Sequence, residues 1–250
     1  ATTLSLSLTA AYAPALAKTP IATGTGGAVA TISDQASQAA MAILNKGGNA
    51  VDAAVAAAAT LGVTDPFSCG IGGGGFMMVY LAKEKRVITI DHRETAPAAA
   101  TPSLFLENGR EMDFDMAVAS GASVGVPGTV RGWHEALTRY GTMSFKDVLQ
   151  PAIGVATRGF PVSETFSHLT AKNEIKFRRF PATSALYLKN GKALPPGHVV
   201  KNPDMARAYN EIAAKGYRAF YSGPMARAIV GAVNTPPVAT GFKVRGGTMT

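Results

Sequence analysis

The chain is predicted to fold as one domain that mixes α-helices with β-strands, and three observations support this prediction. Residues 50–61 are rich in alanine, a composition typical of a helix on which another element packs closely. Two apolar runs, residues 76–81 and 86–91, flank a charged tip and indicate a β-hairpin. Apolar residues make up 47% of the chain and charged residues only 16%, which excludes a disordered protein.

The N-terminal elements are predicted from capping residues and apolar spacing. Residues 29–32 suggest a short strand, and Ser33 is a candidate N-cap for a helix over Asp34–Asn45 that a glycine pair ends. Asn49 is the candidate cap of the next helix, residues 50–61.

The second half of the chain continues the same mixture of elements. Further helices are predicted at Thr129–Tyr140, at 144–158 with an interruption near Pro151, at 204–215 with Asp204 as a cap, and at 224–233. Residues 186–194 carry Asn190-Gly191 at their centre, which is a strong hairpin signal. Neither an internal repeat nor a clear linker divides the chain, so a single domain is predicted.

A glycine-rich segment lies between the alanine-rich helix and the hairpin. Residues 70–75, GIGGGG, match the dinucleotide fingerprint G-x-G-x-x-G. That fingerprint must follow a strand and open a helix, whereas here the helix precedes the glycines and the strand follows them. The pattern therefore favours a turn that lets another backbone approach closely, and we expect this turn also to line a ligand site.

Arg93 follows the second strand of the hairpin and is the candidate binding residue. A guanidinium at a strand end suits two-point binding of a carboxylate, although an ion pair with Asp91 or Glu94 is the alternative. His92 alternates to the opposite face and is expected to support the site or the core rather than to act as a base.

Charge and cysteine content limit the other classes of function. The net charge is +8, and its densest segment, residues 172–179, is interpreted as a solvated helix face or loop rather than a nucleic-acid site. The single cysteine, Cys69, excludes an internal disulfide framework and a cysteine-based zinc site, and we expect it to be a small buried filler.

The histidines and glutamates give no further site. His134, His168 and His198 lack metal-ligand spacing and are expected to be structural or on the surface, so no metal and no cofactor are predicted. Glu94 and Glu164 show no spacing that would indicate a catalytic carboxylate pair.

The N-terminus indicates export. Residues 4–17 are apolar and uncharged, and Ala15-Leu16-Ala17 has the form of a signal-peptidase site. We therefore interpret residues 1–17 as the remnant of a signal peptide and expect a periplasmic or secreted protein, with an ordinary terminus as the alternative. This segment is too short, and too interrupted by Pro14, to span a bilayer, and nothing downstream suggests a membrane span.

Several motifs in order resemble the large-subunit signatures of the gamma-glutamyltransferases, also called gamma-glutamyltranspeptidases or glutathione hydrolases. They are GGNAVDAAVAAAATLGV at 47–63, TDPFSCGIGGGGFMMVY at 64–80, DHRETAPAAAT at 91–101, SVGVPGTVRG at 123–132, QPAIGVATRGFPVS at 150–163, KNPDMARAYNEIAAKGYRAFYSG at 201–223 and GGTMT at 246–250. The resemblance implies an N-terminal-nucleophile hydrolase, a four-layer αββα sandwich that residues 18–250 would form only in part.

The resemblance also implies an activity and a role for Arg93. A proenzyme of this family cleaves itself, and the new N-terminal threonine of its small subunit attacks the amide of a gamma-glutamyl compound such as glutathione. Water or an acceptor amine then resolves the acyl-enzyme. The arginine of the motif present here as Arg93-Glu-Thr-Ala-Pro97 binds the α-carboxylate of the gamma-glutamyl group.

The same resemblance places the catalytic threonine beyond this chain, since Thr248 and Thr250 belong to a large-subunit motif. The expected partners are small gamma-glutamyl substrates and the chain's own small subunit, with no nucleic acid and no membrane. Two alternatives remain open: a catalytically silent binding fragment, and a cephalosporin-acylase-like member of the same superfamily.

Overall fold

The computed structural model describes residues 23–250, in which helices predominate and every sheet has two antiparallel strands. The predicted signal-peptide remnant, residues 1–17, lies outside this part. The helices are α1 Asp34–Asn45, α2 Ala50–Thr64, α3 Phe114–Val118, α4 Thr129–Tyr140, α5 Phe145–Val148, α6 Gln150–Arg158, α7 Glu164–Lys172, α8 Glu174–Arg179, α9 Pro181–Tyr187, α10 Pro203–Lys215, α11 Arg218–Tyr221 and α12 Gly223–Asn234. The strands are β1 Phe76–Leu81, β2 Arg86–Asp91, β3 Leu106–Glu107, β4 Arg110–Glu111, β5 Phe160–Pro161, β6 Leu188–Lys189, β7 Lys192–Ala193 and β8 Val199–Val200. The pairs are β1 with β2, β3 with β4, β5 with β8 and β6 with β7.

The core surrounds helix α2, which packs against α1, α4 and α6, while α10 packs on α6 from the other side. Eleven of the fifteen residues of α2 are buried, as its alanine-rich composition requires. Tyr209 of α10 is fully buried and donates its hydroxyl proton to the carbonyl of Ala59, at 2.9 Å. This bond satisfies the buried phenol and fixes α10 over α2.

Asn49 caps α2, as the sequence predicts, and Asp52 completes a capping box that was not predicted from the sequence. The Asn49 side chain accepts from the backbone N–H groups of Val51 and Asp52, at 2.8 and 3.2 Å. The buried Asp52 carboxylate accepts in turn from the N–H of Asn49, at 2.8 Å, and from that of Thr142, at 3.0 Å. Because Thr142 follows α4, this carboxylate ties the start of α2 to the end of α4.

Three local predictions are wrong. Residues 29–32 form no strand, because the hydroxyl of Thr31 bonds both the N–H and the carbonyl of Ser33 in a local turn. The hydroxyl of Ser33 makes no capping bond and instead contacts Gln35 and Thr64. Asp204 lies in the first turn of α10, and the side chain of Asn202 caps that helix instead.

Other local predictions are confirmed. The β1–β2 hairpin, α1 and α4 have the predicted bounds. The helix over 144–158 is interrupted at Leu149, while Pro151 lies in the first turn of α6, where its missing N–H costs nothing. Asn190 and Gly191 both have positive φ in the β6–β7 turn, at 52° and 73°.

The β1–β2 hairpin has one covered and one open face. Its inner face contributes Ile90, which is buried beside Val51 of α2 and Ala136 of α4. Its outer face exposes apolar side chains, with 65% of Phe76 and 73% of Met78 accessible. The hairpin therefore closes the core on one side and presents an uncovered apolar surface on the other.

Candidate functional site

The segment that carries Arg93 lies in a narrow groove lined by glycines. A Cβ atom on Gly74 would lie 2.5 Å from the carbonyl oxygen of His92, and one on Gly128 would overlap that oxygen. A Cβ atom on Gly125 would lie 2.8 Å from Cβ of Glu94. The backbone of residues 92–94 is therefore enclosed from several sides by positions where a side chain does not fit.

Helix α4 holds the glycine loop, by which we mean residues 70–75, in place. The backbone N–H groups of Gly128 and Thr129 donate to the carbonyl of Gly73, at 2.9 and 3.0 Å. The next free N–H of this helix end, on Arg131, donates to the hydroxyl of Tyr221, at 3.1 Å. The first turn of α4 thus uses its unpaired donors to fix the loop and the neighbouring α11. The context is a helix before the glycines and a strand after them, as the sequence predicts, and not that of a dinucleotide fold.

Arg93 projects from the open side of the hairpin, with 57% of its side chain exposed. Its Nη2 lies 3.1 Å from Oε2 of Glu94, and its backbone N–H donates to Oδ1 of Asp91, at 3.0 Å. Both acidic neighbours that the sequence offered are therefore engaged, Glu94 by the guanidinium and Asp91 by the backbone. A guanidinium carries five N–H donors, so one ion pair leaves most of the fork available to a ligand.

Glu94 is the more deeply placed partner of this pair, with 25% of its side chain exposed. Its Oε2 is buried and has no aligned hydrogen bond to the described residues, although it lies within ion-pair distance of Arg93. A carboxylate in this position favours a cation beside it and restricts where the guanidinium can point.

Two clefts meet at Arg93 and Glu94. The larger, about 810 Å³, runs along the glycine loop and includes His92, Thr129 and the exposed face of β1. The smaller, about 540 Å³, lies on the other side of Arg93 and Glu94, against Pro97 and residues 122–125. The guanidinium therefore lies on the wall shared by two cavities of the size that small molecules occupy.

His92 packs inward against α4 whereas Arg93 is exposed, which agrees with strand alternation. Its ring lies against Gly132 of α4 and near Gly75. Burial lowers the pKa of this imidazole below its ordinary value of 6.5. The ring is therefore neutral at neutral pH.

Cys69 is half-buried in the larger cleft, which corrects the prediction of a buried filler. Burial raises the pKa of its thiol, and the charge of Asp65 raises it further. A raised pKa favours the thiol over the nucleophilic thiolate, so the site gives Cys69 no catalytic character.

The remaining polar candidates lie away from this site. The ring of His134 stacks on Tyr217 with centroids 4.1 Å apart, whereas His168 and His198 are exposed. In the part of the chain that the structure describes, no group of three or more His, Cys, Asp or Glu side chains could hold a metal ion. The basic segment, residues 172–179, includes α8, and its Phe177 stacks on Phe67 instead of facing solvent.

The motif at 246–250 is built into the fold. Asn234 at the end of α12 brackets Met249, accepting from its N–H at 2.9 Å and donating to its carbonyl at 2.7 Å. A Cβ atom on Gly247 would overlap the carbonyl oxygen of Gly121, so the glycines allow this segment to lie against the 3-10 turn at residues 121–123.

The chain belongs to the gamma-glutamyltranspeptidase family, whose model matches residues 36–250. It is 44% identical over 207 residues to a glutathione hydrolase proenzyme of Bacillus subtilis, which covers 82% of this chain and 35% of that protein. It is 42% identical over 214 residues to an acylase ACY 1 proenzyme of a Pseudomonas species, covering 83% of this chain and 38% of that protein. The gamma-glutamyltranspeptidase of Helicobacter pylori superposes with a TM-score of 0.81 at 30% identity, covering 86% of this chain and 61% of that structure.

These relatives confirm the predicted class, an α+β N-terminal-nucleophile hydrolase from a family of enzymes. The chain spans little more than a third of the length of the curated relatives it matches. In residues 23–250, no helix is long and apolar enough to cross a membrane.

Sequence reasoning singled out one candidate residue and missed others that surround it. The strand-end position marked Arg93 as a candidate, the family resemblance implied its role as a carboxylate ligand, and the structure places the residue on the cleft wall. The roles of Gly128, Gly132 and Tyr221 were not predicted, because each contacts residues about 40 to 94 positions away. The glycines spaced along 125–132 were the local sign in the sequence that another segment approaches there.

Proposed function

We propose that this chain is the substrate-binding part of a gamma-glutamyl-transferring proenzyme, in which Arg93 binds the α-carboxylate of the gamma-glutamyl group. The observation that carries this proposal is the exposed guanidinium of Arg93 on the wall of an 810 Å³ cleft. Glu94 engages one of its nitrogens, and the remaining donors are directed to a bound carboxylate.

The chemistry proposed for the complete protein follows the family resemblance. The hydroxyl oxygen of an N-terminal threonine, downstream of this chain, attacks the γ-carbonyl carbon, and its proton passes to the α-amino group of the same residue. The amine leaves with a proton, and water or an acceptor amine then releases the glutamyl group. Arg93 contributes by fixing the far end of the substrate, so that the γ-carbonyl is presented to the nucleophile.

Replacing Arg93 in the complete proenzyme tests this assignment. A two-point contact with a carboxylate contributes on the order of 2–3 kcal/mol, so Arg93→Gln should raise KM for gamma-glutamyl-p-nitroanilide by about 30- to 150-fold. Arg93→Lys should raise KM less, and both should lower kcat by a smaller factor.

The matched control is Arg86→Gln on the same hairpin, whose guanidinium is also exposed and pairs with Glu84. We expect this variant to keep the wild-type KM. An unchanged KM in Arg93→Gln would show that Arg93 does not bind the substrate.

A second candidate function is acyl transfer with a different acyl group, since one relative is named an acylase. Comparing gamma-glutamyl-p-nitroanilide with a cephalosporin acyl substrate separates the two. A third, a silent binding fragment, is supported only if the downstream sequence lacks a Thr-Thr-His-type start.

We also propose that the complete protein is exported to the periplasm or secreted, on the basis of the A-x-A site at residues 15–17. N-terminal sequencing of the protein purified from its source should then begin at Lys18. A mature protein that retains residues 4–17 would contradict the proposal.

A further inference from the structure

The ring of His92 is held between the hairpin and α4. A Cβ atom placed on Gly132 would lie 2.6 Å from Cβ of His92 and 2.8 Å from Cδ2 of its ring. A Cβ atom placed on Gly75 would lie 3.3 Å from Cε1 of the ring. Only the absence of side chains at these two positions gives the imidazole room, so the ring and the glycines form a fitted contact.

The backbone of His92 is hydrogen-bonded to the backbone of Gly75. Its N–H donates to the carbonyl of Gly75, at 2.9 Å, and its carbonyl accepts from the N–H of Gly75, at 3.3 Å. These two bonds extend the hairpin by one residue pair and end immediately before Arg93. This backbone pairing therefore fixes where the Arg93 side chain starts.

The ring is held as a neutral group. Its Nδ1 is buried and has no aligned hydrogen bond among the described residues, although the backbone of His92 itself favours the protonated ring. The charged groups that act on it belong to its own segment: Asp91 and Glu94 favour protonation and Arg93 opposes it. The glycine loop and the start of α4, which pack on the ring, present uncharged backbone. Burial is the largest effect and outweighs the backbone of His92 itself and the two acids, so the pKa lies below its ordinary value.

We propose that His92 is a positioning residue for Arg93, and that its neutral ring, seated against Gly75 and Gly132, sets the direction in which the guanidinium enters the cleft. This role rests on the proposed binding of a carboxylate by Arg93. It concerns substrate affinity rather than the chemical step, because the ring packs against Gly75 and Gly132 while the guanidinium of Arg93 is exposed.

Two replacements of His92 in the complete proenzyme separate shape from chemistry. His92→Ala leaves the space beside Gly75 and Gly132 empty. It should raise KM for gamma-glutamyl-p-nitroanilide by about five- to tenfold, with less than a twofold change in kcat. His92→Phe fills the same space with an uncharged ring of similar shape and should keep KM within about twofold of wild type at pH 8. The control is His168→Ala, since His168 is exposed on α7 and lines neither cleft.

A double-mutant cycle with Arg93→Gln tests whether His92 acts through Arg93. We expect His92→Ala to leave KM unchanged once Arg93 is replaced, because the affected contact is already lost. Equal effects of His92→Ala in both backgrounds would overturn the positioning role. If Arg93→Gln alone leaves KM unchanged, the proposed function fails; if it raises KM and His92→Ala does not, only the role of His92 fails.

The pH dependence supplies a readout that a packing role alone would not change. Because burial lowers its pKa, the wild-type ring takes up a proton only below its ordinary range. We expect the charged ring to pack less well against Gly75 and Gly132. Wild-type KM should therefore rise as the pH falls through the lowered pKa, while the KM of His92→Phe stays flat over the same range. Parallel pH profiles for the two proteins would overturn the role of the neutral ring.

Discussion

At the scale of single residues, the site depends on the balance between Arg93 and Glu94. The arginine is more than half exposed, while the carboxylate beside it is mostly buried. The carboxylate of the pair is therefore held within the protein, while the guanidinium is accessible. This arrangement leaves an exposed cation at the junction of two clefts, where the proposed function places the substrate carboxylate.

Replacing Glu94 by glutamine should loosen the guanidinium without removing it. Because the partner arginine is largely exposed, the interaction is weak, and we expect KM for gamma-glutamyl-p-nitroanilide to rise only about two- to fivefold. Glu84→Gln is the matched control, since Glu84 pairs with the exposed Arg86 at the hairpin tip. A rise in KM as large as that of Arg93→Gln would mean that Glu94 itself contacts the substrate.

Arg93 could be singled out from sequence because its signal is local, a cation at the end of an apolar strand, and the family motif then implied its role. The groove around it could not be predicted in the same way. Gly128 and Gly132 contact His92 across about 40 residues of chain, and only the folded structure brings them together. The ion pair with Glu94 was one of two alternatives, and the choice depended on side-chain orientation.

At the scale of elements, the first turn of α4 holds the site together. Its donors reach the glycine loop through Gly73 and α11 through Tyr221, whose hydroxyl also donates to the carbonyl of Pro127, at 2.8 Å. Tyr221 therefore acts as an N-cap supplied from a distant helix.

Tyr221→Phe should destabilise the complete protein by about 1–2 kcal/mol, because one capping bond and one bond to a carbonyl are lost. Urea denaturation measures this change in the free energy of unfolding. Tyr217→Phe is the control: this neighbouring hydroxyl contacts the side chain of Arg131 and caps no helix, so we expect a much smaller change. Equal losses in the two variants would contradict the capping role of Tyr221.

Elements with strong local signals were predicted well. Segments in which a side chain competes with secondary structure for backbone hydrogen bonds were not. The β1–β2 hairpin and α4 have the predicted bounds because apolar periodicity and turn residues agree there. Residues 29–32 fail because Thr31 satisfies the backbone of Ser33 locally. The short β3–β4 hairpin was missed, although it turns through Asn108 and Gly109 at positive φ, the same signal that identified β6–β7.

At the scale of the whole molecule, the hairpin's outer face is an uncovered apolar surface. Tyr80 and Val87 are 64% and 55% exposed there, next to Phe76 and Met78. An apolar sheet face of this kind normally packs against another layer. We propose that the downstream part of the proenzyme covers it, and the resemblance to an αββα sandwich supports this interpretation.

Residues 18–250 expressed alone should therefore self-associate and bind the dye ANS. Met78→Lys should reduce this association in the isolated chain, and in the complete proenzyme it should impair assembly, since a charge would then be buried. Ile175→Lys is the control, because Ile175 is 63% exposed on α8, away from the hairpin. An isolated chain that stays monomeric and binds no dye would contradict the proposed covering.

The central claim, that Arg93 binds the substrate's α-carboxylate, is tested most directly with a substrate that lacks this group. In the complete enzyme, kcat/KM for gamma-glutamyl-p-nitroanilide and for 4-aminobutyryl-p-nitroanilide should differ by about 30- to 150-fold in the wild type. Arg93→Gln should reduce that ratio nearly to one, because the missing carboxylate no longer matters once its partner is gone. A ratio that stays the same in Arg93→Gln would contradict the claim.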